Sequence, residues 1–90
     1  MLFMSVYTYE PENRDAIVKQ RAEKGPLVPQ GVKLLGEWSS LSGSRVFRLT
    51  EGDDPRALLA VTAPWLSLGK LDIYPVMVTE EVIKLLMAQK

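Results

Sequence analysis

The sequence predicts one small soluble α+β domain, and three observations support this prediction. Four runs of residues are rich in β-branched and aromatic types, two segments between them carry helix start signals, and 90 residues suffice for one hydrophobic core. The simplest arrangement packs both intervening helices on one face of a four-stranded antiparallel sheet. We therefore expect residues 1–90 to form a single ferredoxin-like βαββαβ domain with a C-terminal helix, and two such domains to pair their sheets face to face as a homodimer.

The first strand and the first helix follow from composition and from helix start and stop signals. Residues 2–9 are apolar or aromatic at nearly every position, as in a central strand covered on both faces. Glu10-Pro11-Glu12 is a helix start and Gly25-Pro26 is a stop, which predicts a helix over residues 11–24. Its apolar content is thin, and Arg21 is expected to flank the core.

A hairpin, a second crossover helix, an edge strand and a last helix complete the prediction. Residues 32–39 and 45–51 read as antiparallel strands joined by the turn-rich residues 40–43. Asp53-Asp54-Pro55 predicts the cap of a helix that ends near Pro64-Trp65. Residues 71–78 form the fourth strand, and Pro75 places it at an edge because proline has no N–H for the ladder. Residues 80–88 form an amphipathic helix.

The hairpin also predicts which residues share a face of the sheet. A four-residue loop would place Trp38 opposite Arg45. The face expected to meet the helices then contains Leu34, Gly36, Trp38, Arg45, Phe47 and Leu49. The face expected to form the dimer interface contains Lys33, Leu35, Glu37, Val46, Arg48 and Thr50, with Tyr74 and Val76 on the fourth strand. A salt bridge between Glu37 and Arg48 is expected on that second face.

The composition excludes several kinds of chemistry. The chain has neither cysteine nor histidine, so disulfides, thiolate nucleophiles and zinc-thiolate sites are ruled out, and we expect no metal and no cofactor. The formal net charge is zero, which argues against a nucleic-acid partner. The apolar opening run is far shorter than a membrane span, so no membrane partner is expected and a cytoplasmic location follows by default.

Four stretches of the sequence carry a family resemblance: residues 31–38, Glu51-Gly52-Asp53-Asp54, Pro64-Trp65 and Pro75-Val76. Together they resemble an uncharacterised bacterial and archaeal family described as a domain of unknown function. The resemblance spans almost the whole chain and implies membership of the dimeric α/β-barrel superfamily. Other families of that superfamily include cofactor-independent quinone-forming monooxygenases, haem-degrading monooxygenases and small-molecule isomerases, so the resemblance implies no particular activity.

The candidate ligand-binding residues are Tyr7, Trp38, Arg45 and Trp65. We expect the aromatic rings to line an apolar pocket between sheet and helices, with Arg45 offering a cation to an acidic or phenolic group. The structural alternative is that the rings are simply core and that Arg45 belongs to a cross-strand pair. No catalytic residue is assigned.

Two functional hypotheses remain open on the sequence. One is a homodimer that binds a small apolar or phenolic ligand, including an enzyme of the cofactor-independent monooxygenase or isomerase kind. The other is a non-catalytic dimeric module that binds a metabolite or a protein. A cavity beside Trp38 and Arg45 favours the first hypothesis, and a filled core there favours the second.

Overall fold

A computed structural model describes residues 1–89, and its elements follow the predicted order. The strands are β1 (Leu2–Tyr9), β2 (Lys33–Ser39), β3 (Arg45–Glu51) and β4 (Gly69–Val76). The helices are α1 (Arg14–Lys24), α2 (Pro55–Thr62) and α3 (Thr79–Ala88), with 3₁₀ turns at Pro11–Asn13 before α1 and Ala63–Trp65 after α2. The predicted α+β class and the C-terminal helix are confirmed.

The four strands form one antiparallel sheet in the order β2-β3-β1-β4, which is consistent with a ferredoxin-like fold. The two central strands are β1 and β3, so β4 lies at an edge as Pro75 predicts. Pro75 stands opposite Phe3 in the ladder, and an edge strand tolerates its missing N–H group.

One face of the sheet, here named the helix side, lies under α1 and the end of α2. It carries the alternate β1 residues Phe3, Ser5, Tyr7 and Tyr9, all of which are buried, and their ladder partners Val46, Arg48 and Thr50 of β3. Ile17 of α1 is 5% exposed and packs in one cluster with Tyr7 and Tyr9. The domain core therefore lies between this face and α1.

The opposite face, here named the open face, has no helix packed on it within residues 1–89. It carries Leu2, Met4, Val6 and Thr8 of β1, Arg45, Phe47, Leu49 and Glu51 of β3, Trp38 of β2, and Lys70, Asp72, Tyr74 and Val76 of β4. Trp38 is 54% exposed and Tyr74 is 52% exposed. A mainly apolar sheet face is thus left bare by the protomer.

The predicted use of the two faces is wrong for most of β2 and β3, whereas Tyr74 and Val76 of β4 lie on the open face as predicted. Trp38, Phe47 and Leu49 were expected under the helices but lie on the open face. Glu37 and Arg48 were expected at a dimer interface but lie on the helix side, where Arg21 of α1 reaches them. The physical reason is that Arg21 lies on the inner side of α1 and pairs with Glu37, so the charged positions of β2 and β3 face this helix.

The hairpin register also differs from the predicted one, by two residues. Trp38 stands opposite Phe47 rather than Arg45, and the ladder is interrupted by a bulge between Leu34 and Gly36. The bulge leaves Leu35 without a ladder partner and brings Leu34 opposite Thr50, on the helix side. A shift of two residues keeps each side chain on its face, so the reversed faces do not result from this error.

The predicted cap of α2 is confirmed. The Asp54 carboxylate accepts a hydrogen bond from the backbone N–H of Arg56 at 3.0 Å, and the Arg56 guanidinium also binds it. These hydrogen bonds lower the pKa of Asp54 below its ordinary value. The acidic pair before Pro55 is therefore a helix start, as the sequence predicts.

Two further features concern the helices. Gly25 ends α1 with a φ of 69°, a conformation that favours glycine, and its N–H donates to the Arg21 carbonyl oxygen at 2.9 Å. No helix among residues 1–89 has the length and apolar content that crossing a bilayer requires.

Candidate ligand-binding site

A cavity of about 370 Å³ lies between the helix side of the sheet, α1 and the turn that follows α2. Small residues on its sheet floor, Ser5 and Ser39, leave room that larger side chains would fill. Ile17, Val18 and Ala22 of α1 form one wall. The volume falls in the range that small-molecule sites occupy.

The second wall of the cavity is aromatic. Tyr7, Tyr9 and Trp65 line it, and the Tyr7 ring lies 6.0 Å from the ring of each of the other two, measured between centroids. The Tyr7 and Trp65 rings meet edge to face, at an interplanar angle of 75°. Such contacts fix the ring orientations and leave flat apolar surfaces toward the cavity.

The Tyr7 hydroxyl ties this wall together. It donates a hydrogen bond to the Trp65 carbonyl oxygen at 2.6 Å, which links β1 to the turn after α2. Burial raises the pKa of Tyr7 above its ordinary value, and the nearby Tyr9 raises it further. The phenol is therefore neutral near pH 7 and acts here as a hydrogen-bond donor to the backbone.

A charged cluster of Arg21, Glu37 and Arg48 forms part of the cavity lining. The Arg21 guanidinium lies 2.9 Å from Oε1 of Glu37 through Nη2, and its Nε donates to the same oxygen at 3.0 Å. Nε of Arg48 lies 2.8 Å from Oε2 of Glu37. Two guanidinium groups thus share one carboxylate, and the cluster carries one net positive charge.

The cluster is held in place by both layers of the fold. Glu37 and Arg48 stand opposite each other on β2 and β3, and Arg21 reaches them from α1. Nη1 of Arg48 also donates to the Leu27 carbonyl oxygen at 3.1 Å, which fixes the loop after α1. The side chains of Glu37 and Arg48 are each 22% exposed, so the net charge sits in a partly desolvated place where it attracts an anion more strongly than in water.

The structure brings together only two of the four residues predicted to bind a ligand. Tyr7 and Trp65 line the cavity. Trp38 lies on the open face, on the other side of the sheet, and Arg45 lies there as well, exposed and opposite Thr8. The expectation that these four residues line one pocket with Trp38 beside Arg45 is therefore wrong.

The sequence does not predict that the charged cluster forms part of the binding site. The sequence predicts the Glu37–Arg48 salt bridge and places Arg21 beside the core, but it predicts the salt bridge on the other face of the sheet. One signal was available, because Arg21 lies one helical turn from Ile17 and so shares its inward side. An arginine beside an apolar helix position needs a carboxylate on the facing strands.

No group of three or more acidic side chains within residues 1–89 comes close enough to hold a metal ion. The chemistry available at the cavity is that of two tyrosines, one tryptophan and the charged cluster. This arrangement can enclose a flat apolar body and hold one negative charge.

Comparison with known families matches residues 1–90 to the model of the domain of unknown function DUF3303, and the chain belongs to that family. Searches of curated proteins and of solved structures each gave no match.

Proposed function

We propose that this member of the DUF3303 family is a homodimer that binds a small molecule in the cavity on the helix side of each sheet. The ligand has an apolar or phenolic body with one acidic group. The observation that carries this proposal is the pairing of an aromatic wall with a net positive cluster in one cavity of about 370 Å³.

The walls of the cavity favour this ligand chemistry. The Tyr7 and Trp65 rings offer apolar surface, and burying such surface is the main source of affinity for a small ligand. Arg21 and Arg48 present donors to an anion, and Glu37 neutralises only one of them. Binding of a doubly positive ligand is disfavoured, because the two guanidinium groups would repel it.

The geometry supports binding better than catalysis. The Tyr7 proton is directed to the Trp65 carbonyl oxygen, and Glu37 is held between two guanidinium groups. Neither group is placed to take a proton from a ligand, as a general base must be. The proposal is therefore a binding protein, and enzyme chemistry of the monooxygenase or isomerase kind is not part of it.

The open face supports the homodimer. The protomer exposes 6509 Å², whereas a folded monomer of 10.1 kDa exposes about 5,300 Å². The excess of about 1,200 Å² includes the exposed helix α3 as well as the open face, and it is more than the roughly 800 Å² that each partner buries in a standard interface. A face-to-face pairing of two open faces, as in the dimeric α/β-barrel superfamily that the sequence resembles, would cover Trp38, Phe47 and Tyr74.

A cytoplasmic location is part of the same proposal. It is supported by the absence of cysteine, since the chain needs no oxidising compartment to complete its fold.

A thermal-shift experiment with two matched probes tests the ligand chemistry. We expect 2-naphthoate to stabilise the protein and its uncharged amide to do so less, because only the acid can use the charged cluster. Arg21→Gln leaves a neutral Glu37–Arg48 pair, so it should remove most of the preference for the acid. Val46→Phe fills the floor of the cavity and should remove stabilisation by both probes.

Trp38→Phe is the matched control because it changes an aromatic residue on the other side of the sheet. It should leave stabilisation by 2-naphthoate unchanged. Stabilisation that survives Val46→Phe but disappears in Trp38→Phe would place the ligand on the open face and overturn the proposed site. Light scattering that reports a 10.1 kDa particle at micromolar concentration would overturn the homodimer.

A further inference from the structure

The C-terminal helix α3 has no cover in the protomer. Every residue from Thr79 to Gln89 is exposed, including Ile83 at 54%, Leu86 at 60% and Met87 at 59%. Large apolar side chains at these exposures on one helix form a surface that a folded protein normally buries.

The apolar surface of α3 is also unusually wide. At 100° per residue, Val82, Ile83, Leu85, Leu86 and Met87 spread over about 200° of the helix circumference, whereas a helix packed on one surface needs an apolar stripe of about 100°. The polar remainder is narrow and consists of Glu80, Glu81 and Lys84. A helix with so wide an apolar side buries that side more completely when protein surface contacts it from more than one direction.

The shape of the protomer shows that α3 extends away from the domain. The radius of gyration is 15.1 Å, against about 12 Å for a compact chain of this length. The extents are 51 × 30 × 18 Å, and the long axis is about twice the 26 Å that an eight-residue strand spans. The short axis accommodates the sheet and one layer of helices, so α3 adds length and does not form a third layer.

The charge of α3 indicates what covers it. Helices that lie on membrane surfaces carry lysine and arginine on their polar side, but α3 opens with Glu80 and Glu81 and has Lys84 as the one basic residue between positions 79 and 89. An anionic lipid surface would repel this end of the helix. A protein surface of positive charge is the better match.

Such a surface exists on a second copy of the chain. The end of the open face next to α3 is acidic, and Glu51 and Glu81 line one surface hollow there. Together with Glu80 they give three negative charges, against the two positive charges of Lys33 and the amino terminus. At the other end, the paired strand residues are basic on balance, because Arg45 and Lys70 flank Thr8 and outnumber Asp72, which lies 3.9 Å from Lys70. Stacking two open faces with their strands running in opposite directions places the acidic end of each protomer over the basic end of the other.

We propose, on the basis of the homodimer above, that α3 is an arm that each protomer lays against the basic end of its partner's sheet. The apolar side of α3 then covers the exposed Leu66 next to the start of β4, and its acidic first turn meets Lys70. Both residues are exposed in the protomer, Leu66 at 54% and the Lys70 side chain at 78%. The contact closes the open face at both ends and gives the apolar side of α3 a cover that its own protomer lacks.

The absence of native cysteine allows a direct test by disulfide formation between single-cysteine chains. Leu86→Cys and Leu66→Cys are prepared separately, mixed as full-length proteins and oxidised. We expect a covalent heterodimer of twice the 10.1 kDa chain mass on a non-reducing gel. Lys84→Cys lies on the polar side of α3 and is the matched control, which should not cross-link to Leu66→Cys.

A second measurement uses the same two positions without oxidation. Leu86→Gln should raise the dimer dissociation constant about tenfold or more in sedimentation experiments, as loss of a buried interface anchor does, and Lys84→Gln should change it little. A parent that remains dimeric while neither the cross-link nor the effect of Leu86→Gln is found would overturn the arm and leave the homodimer standing. A monomeric parent would overturn both.

Discussion

Glu37→Gln is predicted to act on stability and on ligand affinity in opposite directions. The carboxylate of Glu37 lies between the guanidinium groups of Arg21 and Arg48, at 2.9 Å and 2.8 Å. Glutamine keeps the shape and one acceptor oxygen but removes the negative charge. The variant therefore leaves two cations facing each other at the cavity.

The loss of stability follows from these contacts. The hydrogen bond from Arg21 to the Glu37 carboxylate contributes about 1.5–3 kcal/mol, Arg48 adds an ion pair, and the 22% exposure of the Glu37 side chain lets water compensate for part of that. We expect a decrease of about 2 kcal/mol in the free energy of unfolding. For a domain of this size that corresponds to a fall in Tm of about 8–16 °C.

The gain in affinity follows from Coulomb's law. A ligand anion about 6 Å from Glu37, at an effective dielectric constant of about 40, is repelled by about 1.4 kcal/mol. Removing that repulsion should tighten 2-naphthoate binding about tenfold, while the uncharged amide should bind as before.

Thermal unfolding followed by circular dichroism gives the first quantity and calorimetric titration gives the second. Glu23→Gln is the control, since Glu23 is exposed and lies on α1 two residues from Arg21. A variant with parental Tm would refute the role of Glu37 in holding the cluster. A destabilised variant with unchanged affinity for 2-naphthoate would show that the acidic group of the ligand does not lie at this cluster.

Three further substitutions test individual contacts. Tyr7→Phe removes the hydrogen bond to the Trp65 carbonyl oxygen and should cost about 1 kcal/mol. Because folding raises the pKa of Tyr7, the neutral phenol stabilises the folded protein fully below the ordinary value of 10.0, and this stabilisation is lost as the pH rises further. In urea unfolding from pH 8 to 11, the free energy of unfolding should therefore fall more steeply for the parent than for Tyr7→Phe. Gly69→Ala would place a Cβ 2.7 Å from the Tyr7 ring and should lower stability by about 2 kcal/mol in the same assay. Gly36→Ala would collide with the Trp38 ring, which is exposed and can swing away, so tryptophan emission should change while stability changes by less than about 0.5 kcal/mol.

The elements of the fold could be predicted because local signals decide them. The alternation of apolar residues marks β3, and the acid before Pro55 marks the start of α2. Pro75 correctly placed β4 at an edge. These signals act over a few residues and do not depend on what packs against them.

The use of the two sheet faces could not be predicted in the same way. Both faces carry apolar residues, and the choice of the more apolar one for the helices assumes that a chain covers its best surface with its own elements. Here Trp38 and Phe47 lie on the face that the protomer leaves bare, while Glu37 lies under α1. The choice depends on tertiary packing and, in the proposed homodimer, on a second copy of the chain, and neither leaves a local signal in the sequence.

Only part of the candidate site could be predicted, because the site also depends on which face of the sheet meets the helices. Tyr7 and Trp65 line the cavity because one lies on a central strand and the other in the turn after α2, where the sheet and the helices meet. The prediction that Trp38 and Arg45 line the pocket depends on the predicted sheet faces, and both residues lie on the open face instead. The charged cluster required the approach of Arg21 from α1, which depends on tertiary packing.

The central claim is that the ligand lies on the helix side of the sheet and the dimer contact on the other. The two indole N–H signals of an ¹⁵N-labelled sample report on the two sides separately, because Trp65 lines the cavity and Trp38 lies on the open face. Trp38→Phe assigns the signals by removing one. We predict that 2-naphthoate shifts the Trp65 signal and leaves the Trp38 signal in place, whereas dilution below the dimer dissociation constant moves the Trp38 signal alone. A titration in which the Trp38 signal moves and the Trp65 signal does not would contradict the claim.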